Sequence, residues 1–201
     1  SRSGSGGGGL AALLSSSTLA DPRSIPFKVN YNLFMLPDSG YVPRLFDARV
    51  GYFYTSYQDF TKDRKLDQQV NLIYRWRLEK QDPNAPLSPP KTPIEFWLDN
   101  AIPLEYRDAV RDGILSWNRA FEKAGFKDAI VVHQMPDDAD RDHADMRYNT
   151  IRWVASPDAG YAVALFRVNP ITGEILNANI TVDANMTRFM NAERERIVEP
   201  A

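Results

Sequence analysis

The chain has 201 residues, a formal net charge of −2 and no cysteine. Its hydrophobic content of 43% is enough to build a core, and its acidic balance argues against a nucleic-acid-binding surface. The lack of cysteine excludes disulfides, thiolate metal sites and thiol nucleophiles. No apolar run reaches the roughly 18 residues that a membrane-spanning helix needs.

The N-terminal end is predicted to be flexible. Residues 1–9 are a Gly/Ser tract, and the apolar stretch after them is short and interrupted. We therefore expect residues 1–26 to form a flexible extension. Because the chain begins without an initiator Met, we also expect it to be a piece of a longer protein.

Residues 27–80 are predicted to be a β-rich segment that belongs to an upstream domain. Residues 27–36 and 50–60 are rich in aromatic and β-forming residues. In residues 68–80, apolar side chains alternate with polar ones, which is typical of a half-buried strand. The alternating apolar residues are Val70, Leu72, Tyr74, Trp76 and Leu78.

Residues 81–93 are predicted to be a Pro-rich linker. Five of these thirteen residues are proline, which removes backbone donors and excludes both a helix and a central strand. The alternative is a rigid loop inside a single domain.

Residues 94–201 are predicted to form an α/β layer. The pattern indicates a strand at 94–99, a long helix over 103–126, strands at 129–135 and 149–155, and a hairpin around the turn at 169–173. A last helix is expected to begin near residue 191. The helix prediction depends on apolar residues spaced by three and four, namely Tyr106, Val110, Ile114, Trp117, Phe121 and Ala124. The fold class is therefore α+β or α/β, a twisted mixed sheet with one long helix packed on it, preceded by a β-rich extension.

The acidic stretch "MPDDADRDHADMR" (residues 135–147) is the first candidate for a metal site. Counted from Asp138, a calcium-binding loop needs Gly at position six and Glu at position twelve, where this chain has His143 and Asn149. The calcium motif therefore fails, and a solvated loop is favoured, with a structural pair between Asp145 and Arg147. The acidic residues of the stretch are Asp137, Asp138, Asp140, Asp142 and Asp145.

Other catalytic arrangements are not indicated. His133 lies in an apolar strand and is interpreted as structural, and two histidines cannot supply a three-histidine zinc site. There is no Gly-x-Ser-x-Gly and no Gly-rich phosphate loop after a strand. The aromatic run at residues 52–57 could stack a base or a sugar, but sheet packing is favoured.

Five blocks of the sequence, taken together, resemble a family of large bacterial zinc-dependent metallopeptidases with a metzincin-like catalytic domain. The resemblance runs from about Phe27 to Met186, and it depends on the order and spacing of the blocks. They are "VPRLFDARVGYFYTSYQDF", "YRWRLEKQDPNAPLSPPKTPIEFWLDNAIP", "ILSWNRAFEKAGFKDAIVV", "MPDDADRDHADMRYNTIRWV" and "VNPITGEILNANI".

The resemblance implies that residues 94–201 are the N-terminal part of a protease domain. Its substrate would pair with an edge strand, which by analogy maps to residues 174–183. The substrate-binding residues implied are Glu174, Ile175, Leu176, Asn177, Ala178, Asn179 and Ile180. The zinc-binding His-Glu-x-x-His sequence is absent from the 201 residues, so we expect no catalytic or metal-ligating residue in this chain and no hydrolysis by it alone.

The implied cofactor is zinc in the parent protein, with calcium disfavoured. The implied partners are a peptide or protein substrate and the missing C-terminal half of the catalytic domain, with neither nucleic acid nor a membrane span. The family implies a periplasmic or extracellular location. Two alternatives stay open: a non-catalytic peptide-binding or structural module of the same fold, and an unrelated α+β domain with a calcium-binding aspartate loop.

Overall fold

The computed structural model of the chain describes residues 27, 29, 31–37, 40–62, 68–156 and 160–198. The predicted flexible extension, residues 1–26, lies outside the described residues. Seven strands are present in the described part of the chain: β1 (Tyr54–Gln58), β2 (Gln69–Ile73), β3 (Ile94–Leu98), β4 (Ile130–Gln134), β5 (Asn149–Val154), β6 (Ala162–Val168) and β7 (Ile175–Asp183). The helices there are α1 (Leu104–Leu115), α2 (Asn118–Lys123) and α3 (Ala184–Val198), with a 3₁₀ turn at Phe60–Lys62.

The main sheet has the strand order β4-β3-β5-β7-β6. Strands β4, β3, β5 and β7 are parallel to one another, and β6 is antiparallel to β7. With α1 packed on the sheet, this arrangement confirms the predicted mixed α+β fold.

One face of the sheet, which we call the helix face, carries the core. Phe96, Ile151 and Ala178 belong to a buried cluster on that face, and Val110 and Ile114 of α1 pack against it. This burial of apolar surface is what holds the helix on the sheet. The opposite face, which we call the loop face, is covered in part by residues 136–148.

The predicted long helix is present but interrupted. At Ser116 the hydroxyl donates to the Gly113 carbonyl at 2.7 Å, and the Trp117 N–H bonds to the Ile114 carbonyl, a tighter 3₁₀-type step. Trp117 is 64% exposed and not buried as predicted, although it still borders the space between α1 and the sheet. Ala124 is also exposed.

Strands β1 and β2 form a separate antiparallel pair that contacts the main sheet at the β6–β7 hairpin. The Arg75 N–H donates to the Gly173 carbonyl at 3.1 Å, and the Ile175 N–H donates to the Arg75 carbonyl at 3.0 Å. Gly173 has φ of +76°, and a Cβ built on it would lie 2.5 Å from the Ile73 carbonyl oxygen. A glycine is therefore needed at this approach of the two units.

The Pro-rich segment, residues 81–93, is an ordered loop. The Ser88 N–H donates to the Gly125 carbonyl, the Lys127 N–H donates to the Ser88 carbonyl, and Ser88 is 2% exposed. These contacts favour the alternative of a rigid loop. The domain boundary at this segment stays a prediction.

The two ends of the described chain differ from the sequence pattern. The described residues between 27 and 36 form no strand, although they are rich in β-forming types. Helix α3 begins at Ala184, seven residues before the expected start. None of the helices in the described part of the chain has the length and apolar composition of a membrane span.

Candidate functional site

Strand β6 is an edge of the main sheet and is hydrogen-bonded to β7 alone among the described strands. The Asp183 N–H donates to the Tyr161 carbonyl, which fixes which residues of β6 face β7. Because hydrogen-bonded pairs alternate along an antiparallel ladder, Val163, Leu165 and Arg167 bond to β7. The N–H and C=O groups of Ala162, Ala164 and Phe166 then point away from the sheet. We call these outward backbone groups the open edge.

The prediction that residues 174–183 form an edge strand is wrong. Residues 174–180 belong to β7 or precede it directly, and β7 lies inside the sheet, paired with β5 on one side and β6 on the other. Residues 179–183 of β7 pair with β5, while the Ala178 N–H bonds to the Asn149 side chain and the Ile175 N–H to the Arg75 carbonyl, so β7 is an interior strand. The hairpin was recognised correctly, but its other strand is the one at the edge.

An apolar groove runs over the helix face beside the open edge. It has a volume of about 550 Å³ and lies between α1 and the sheet. Phe166 of β6 and Ile180 of β7 line it, so it reaches the edge strand itself. Its other apolar lining residues include Trp76, Phe96, Val110, Ile114 and Ile151. The groove therefore offers apolar surface directly next to the outward backbone groups of the open edge.

Asp145 and Arg147 form the predicted structural pair. The guanidinium of Arg147 bonds both carboxylate oxygens at 2.6–3.0 Å, and the Arg147 N–H bonds the same side chain at 3.0 Å. These hydrogen bonds from Arg147 hold the pKa of the Asp145 carboxyl below its usual value. The pair fixes the turn that leads into β5.

The rest of the acidic loop packs on the loop face of the sheet. Arg141 places its guanidinium 4.0 Å from the ring centre of Trp97 and 4.2 Å from that of Tyr148. The ring of His133 also stacks on Trp97, with the ring centres 4.6 Å apart, and its Nε2 lies 3.7 Å from a carboxylate oxygen of Glu95. No local sequence pattern predicts this arginine–aromatic stack, because Trp97 lies in β3, far in sequence from Arg141 and Tyr148.

The described residues do not fit a metal centre. No group of three or more His, Asp or Glu side chains among them is placed to hold an ion. His143 contacts Asp142 at 3.4 Å, whereas His133 lies in β4 next to Glu95. No catalytic step through zinc is therefore derived from these residues.

Glu174 occupies a different environment from the one predicted for a substrate-binding residue. It is 6% exposed and lies in the contact between the hairpin and the extended chain after β2. Burial raises the pKa of its carboxyl, and the positive charges of Arg77 and Arg75 oppose that rise in part. Its role in the structure is to join the two sheets, not to face the groove.

Asp183 is the last residue of β7 and directly precedes α3. One carboxylate oxygen accepts the Asn185 N–H at 2.8 Å, as in a helix N-cap, and the other accepts the N–H and hydroxyl of Ser156. These hydrogen bonds, led by that of the Ser156 hydroxyl, lower the pKa of Asp183. Asp183 therefore ties the end of β5 to the point where β7 becomes a helix.

Residues 11–81 match the model of a family described as a domain of unknown function, DUF5117. The match covers about the first third of the chain and includes β1 and β2, but not the main sheet. No curated protein and no solved structure matches the chain.

Proposed function

We propose that this chain supplies the peptide-binding sheet of a zinc-dependent metallopeptidase whose zinc ligands lie outside this sequence. The observation that carries the proposal is the open edge of β6. Its outward N–H and C=O groups, which have no strand partner among the described residues, alternate along the strand, and an extended peptide can satisfy them with its own backbone. Such main-chain pairing suits a protease, because it tolerates different substrate sequences.

The apolar groove supports the same proposal. An added strand would be flanked on the helix face by Phe166 and Ile180, which line the groove. Alternate side chains of the peptide would lie over this face, since successive residues of a strand point to opposite sides. The zinc chemistry is inferred from the family resemblance of the sequence, whereas the peptide binding is inferred from the described residues.

The binding is tested with a labelled, end-blocked peptide, Lys-Ser-Thr-Leu-Thr-Ser-Lys, by fluorescence anisotropy. Ala164→Pro should abolish binding, because proline removes the outward N–H at the centre of the open edge. The same substitution should leave the β6–β7 ladder intact, since that N–H does not bond to β7. Ala164→Ser keeps the N–H and a small side chain, so it is the matched control and should bind as the parent does.

Thermal melts of both variants establish that they fold. Equal peptide affinity in the folded Ala164→Pro and Ala164→Ser variants would contradict pairing at β6. Peptide that fails to bind the unsubstituted chain would contradict the proposal outright.

A non-catalytic peptide-binding module is the second candidate, and the same open edge favours it. The two are distinguished by cleavage. With zinc chloride added, the 201-residue chain should bind the peptide and leave it uncut under either candidate. A longer product of the same gene that contains His-Glu-x-x-His and cuts the peptide supports the peptidase, and one that binds without cutting supports the module.

A further inference from the structure

A second, aromatic pocket lies at the far end of the open edge. It has a volume of about 390 Å³ and is lined almost entirely by apolar atoms. We call it the aromatic pocket, and its lining residues are Gly51, Tyr52, Phe53, Tyr74, Phe166 and Ile175. It is built by both sheets, because Tyr52 and Tyr74 come from the β1–β2 unit and Phe166 from β6.

The walls of the aromatic pocket are held in place by ring contacts and a backbone hydrogen bond. The ring centres of Phe53 and Phe166 are 6.0 Å apart, and those of Phe53 and Tyr74 are 6.4 Å apart. The Tyr74 N–H donates to the Phe53 carbonyl at 2.8 Å, which fixes the backbone of both walls. Even so, the side chain of Phe53 is 71% exposed and that of Tyr52 is 50% exposed. The pocket walls are therefore held in place while part of their aromatic surface stays exposed to a ligand.

Phe166 connects this pocket to the open edge. Its side chain lines the pocket, and its own N–H and C=O are among the outward groups. In a strand added to β6, the residue opposite Phe166 points to the same face as Phe166, because directly opposed residues share a face of the sheet. That residue's side chain is thereby directed towards Phe53 and Tyr52.

We propose that an extended peptide bound on β6 places a bulky apolar side chain, aromatic or branched aliphatic, in the aromatic pocket. This proposal rests on the proposed function, and it assigns the β1–β2 unit the role of selecting what the open edge binds. The occupant is a peptide strand because the pocket adjoins backbone donors and acceptors that another strand can satisfy. Selection is concentrated at this one position, since Ala162 and Ala164 present small side chains on the same face.

The experiment uses four end-blocked peptides, Lys-Ser-Thr-X-Thr-Ser-Lys, in which X is Ala, Leu, Phe or Asp. Only X is bulky in the Leu and Phe peptides, so it sets the register. We expect the Phe peptide to bind about tenfold more tightly than the Ala peptide, because the pocket is open on one side and buries part of the ring. The Asp peptide should bind no better than the Ala peptide.

Phe53→Ala removes one wall and its ring contact with Phe166 but leaves the backbone of β6 unchanged, and the exposure of Phe53 makes loss of folding an unexpected result. The ratio of Phe to Ala affinity should then fall to about twofold, with the affinity for the Ala peptide unchanged. Tyr57→Ala is the matched control, since Tyr57 is an exposed aromatic residue of β1 that does not line the pocket. It should preserve the tenfold ratio.

Each outcome separates the two proposals. Equal affinity for all four peptides overturns the aromatic pocket as a subsite and leaves binding at β6 in place. A preference for Phe that persists in Phe53→Ala also overturns it. If no peptide binds, the proposed function fails and the subsite fails with it.

Discussion

The two edge strands of the main sheet, β4 and β6, differ in what contacts their outward backbone groups. At β4 the side chain of Asn118, from α2, takes the place of a neighbouring strand: its Oδ1 accepts the Ile130 N–H at 2.8 Å, and its Nδ2 donates to the Ile130 carbonyl at 3.0 Å. At β6 no described residue makes an equivalent contact with Ala162, Ala164 or Phe166. A single amide therefore covers the β4 edge at Ile130, whereas no described residue covers the β6 edge in this way.

This difference matters because exposed edges invite unwanted pairing, and sheets usually protect them with charge, proline or a covering element. The described residues of β6 include no proline, and Val163 and Leu165 are 42% and 53% exposed. Arg167 near the end of the strand is its one charged residue. An edge kept both apolar and unprotected is consistent with the proposed role in peptide binding.

The largest expected effect on stability is at Gly173, which lies in the turn of the β6–β7 hairpin that carries the open edge. Gly173→Ala should lower the free energy of unfolding by about 3 kcal/mol, because it strains a positive φ and puts a Cβ against the Ile73 carbonyl oxygen. Chemical denaturation measures the change. Gly51→Ala, where a Cβ meets nothing within 4 Å, is the control and should be close to neutral. Equal midpoints for the two variants would contradict this close approach.

The positions of the strands could be predicted from the sequence because the signal for each is local. Apolar runs and alternation within a few residues were enough to place β3, β4, β5 and the β6–β7 hairpin. Which hairpin strand lies at the edge depends on β7 pairing in parallel with β5, a contact between segments that are distant in sequence. Local alternation carries no information about that pairing.

The buried polar residues gave a signal that could have been used. Asn177 is fully buried in β7, and its Nδ2 donates to the Tyr148 carbonyl at 2.8 Å. Polar residues such as Asn177 and Asn179 in an otherwise apolar strand indicate side chains that bond to neighbouring segments, which occurs in interior strands. The capping amide of Asn118 could not be recognised, because its partner Ile130 is twelve residues away and in another element.

A second prediction concerns Asp183, where β7 beside the open edge becomes α3. Asp183→Asn should lower the free energy of unfolding by about 2 kcal/mol at pH 7, because the cap and the bonds from Ser156 are weakened. Urea denaturation measures this change. Asp137→Asn, an exposed loop substitution, should leave the free energy unchanged.

The pH dependence of this variant follows from the lowered pKa of Asp183. The stabilisation is fully present above the unfolded value of about 3.9 and is lost as the pH falls through the folded pKa. The difference between the parent chain and Asp183→Asn should therefore shrink in acid. A difference that stays constant from pH 7 to pH 3 would contradict the charge-dependent part of the explanation.

The β4 edge is tested at Asn118. Asn118→Ala leaves the Ile130 N–H and carbonyl without their partner and should lower the free energy of unfolding by about 1 kcal/mol. Asn118→Asp keeps an acceptor for the N–H but has no donor for the carbonyl, so we expect an intermediate loss. Thermal denaturation measures both, and an Asp variant less stable than the Ala variant would show that the amide does not act through these two bonds.

The smallest effect on stability, below about 0.5 kcal/mol, is expected for Leu165→Lys on the open edge, because the side chain is 53% exposed. Its effect should instead appear in self-association, since a charge on an edge strand opposes pairing between two copies. Sedimentation velocity should show the parent chain associating with rising concentration and the variant remaining monomeric. The matching substitution at the other edge, Val131→Lys in β4, should leave association unchanged, because the Asn118 amide already occupies the backbone groups of the neighbouring Ile130. If the two lysine variants behave alike, β6 is no more open than β4, and the comparison on which the peptide-binding proposal depends does not hold.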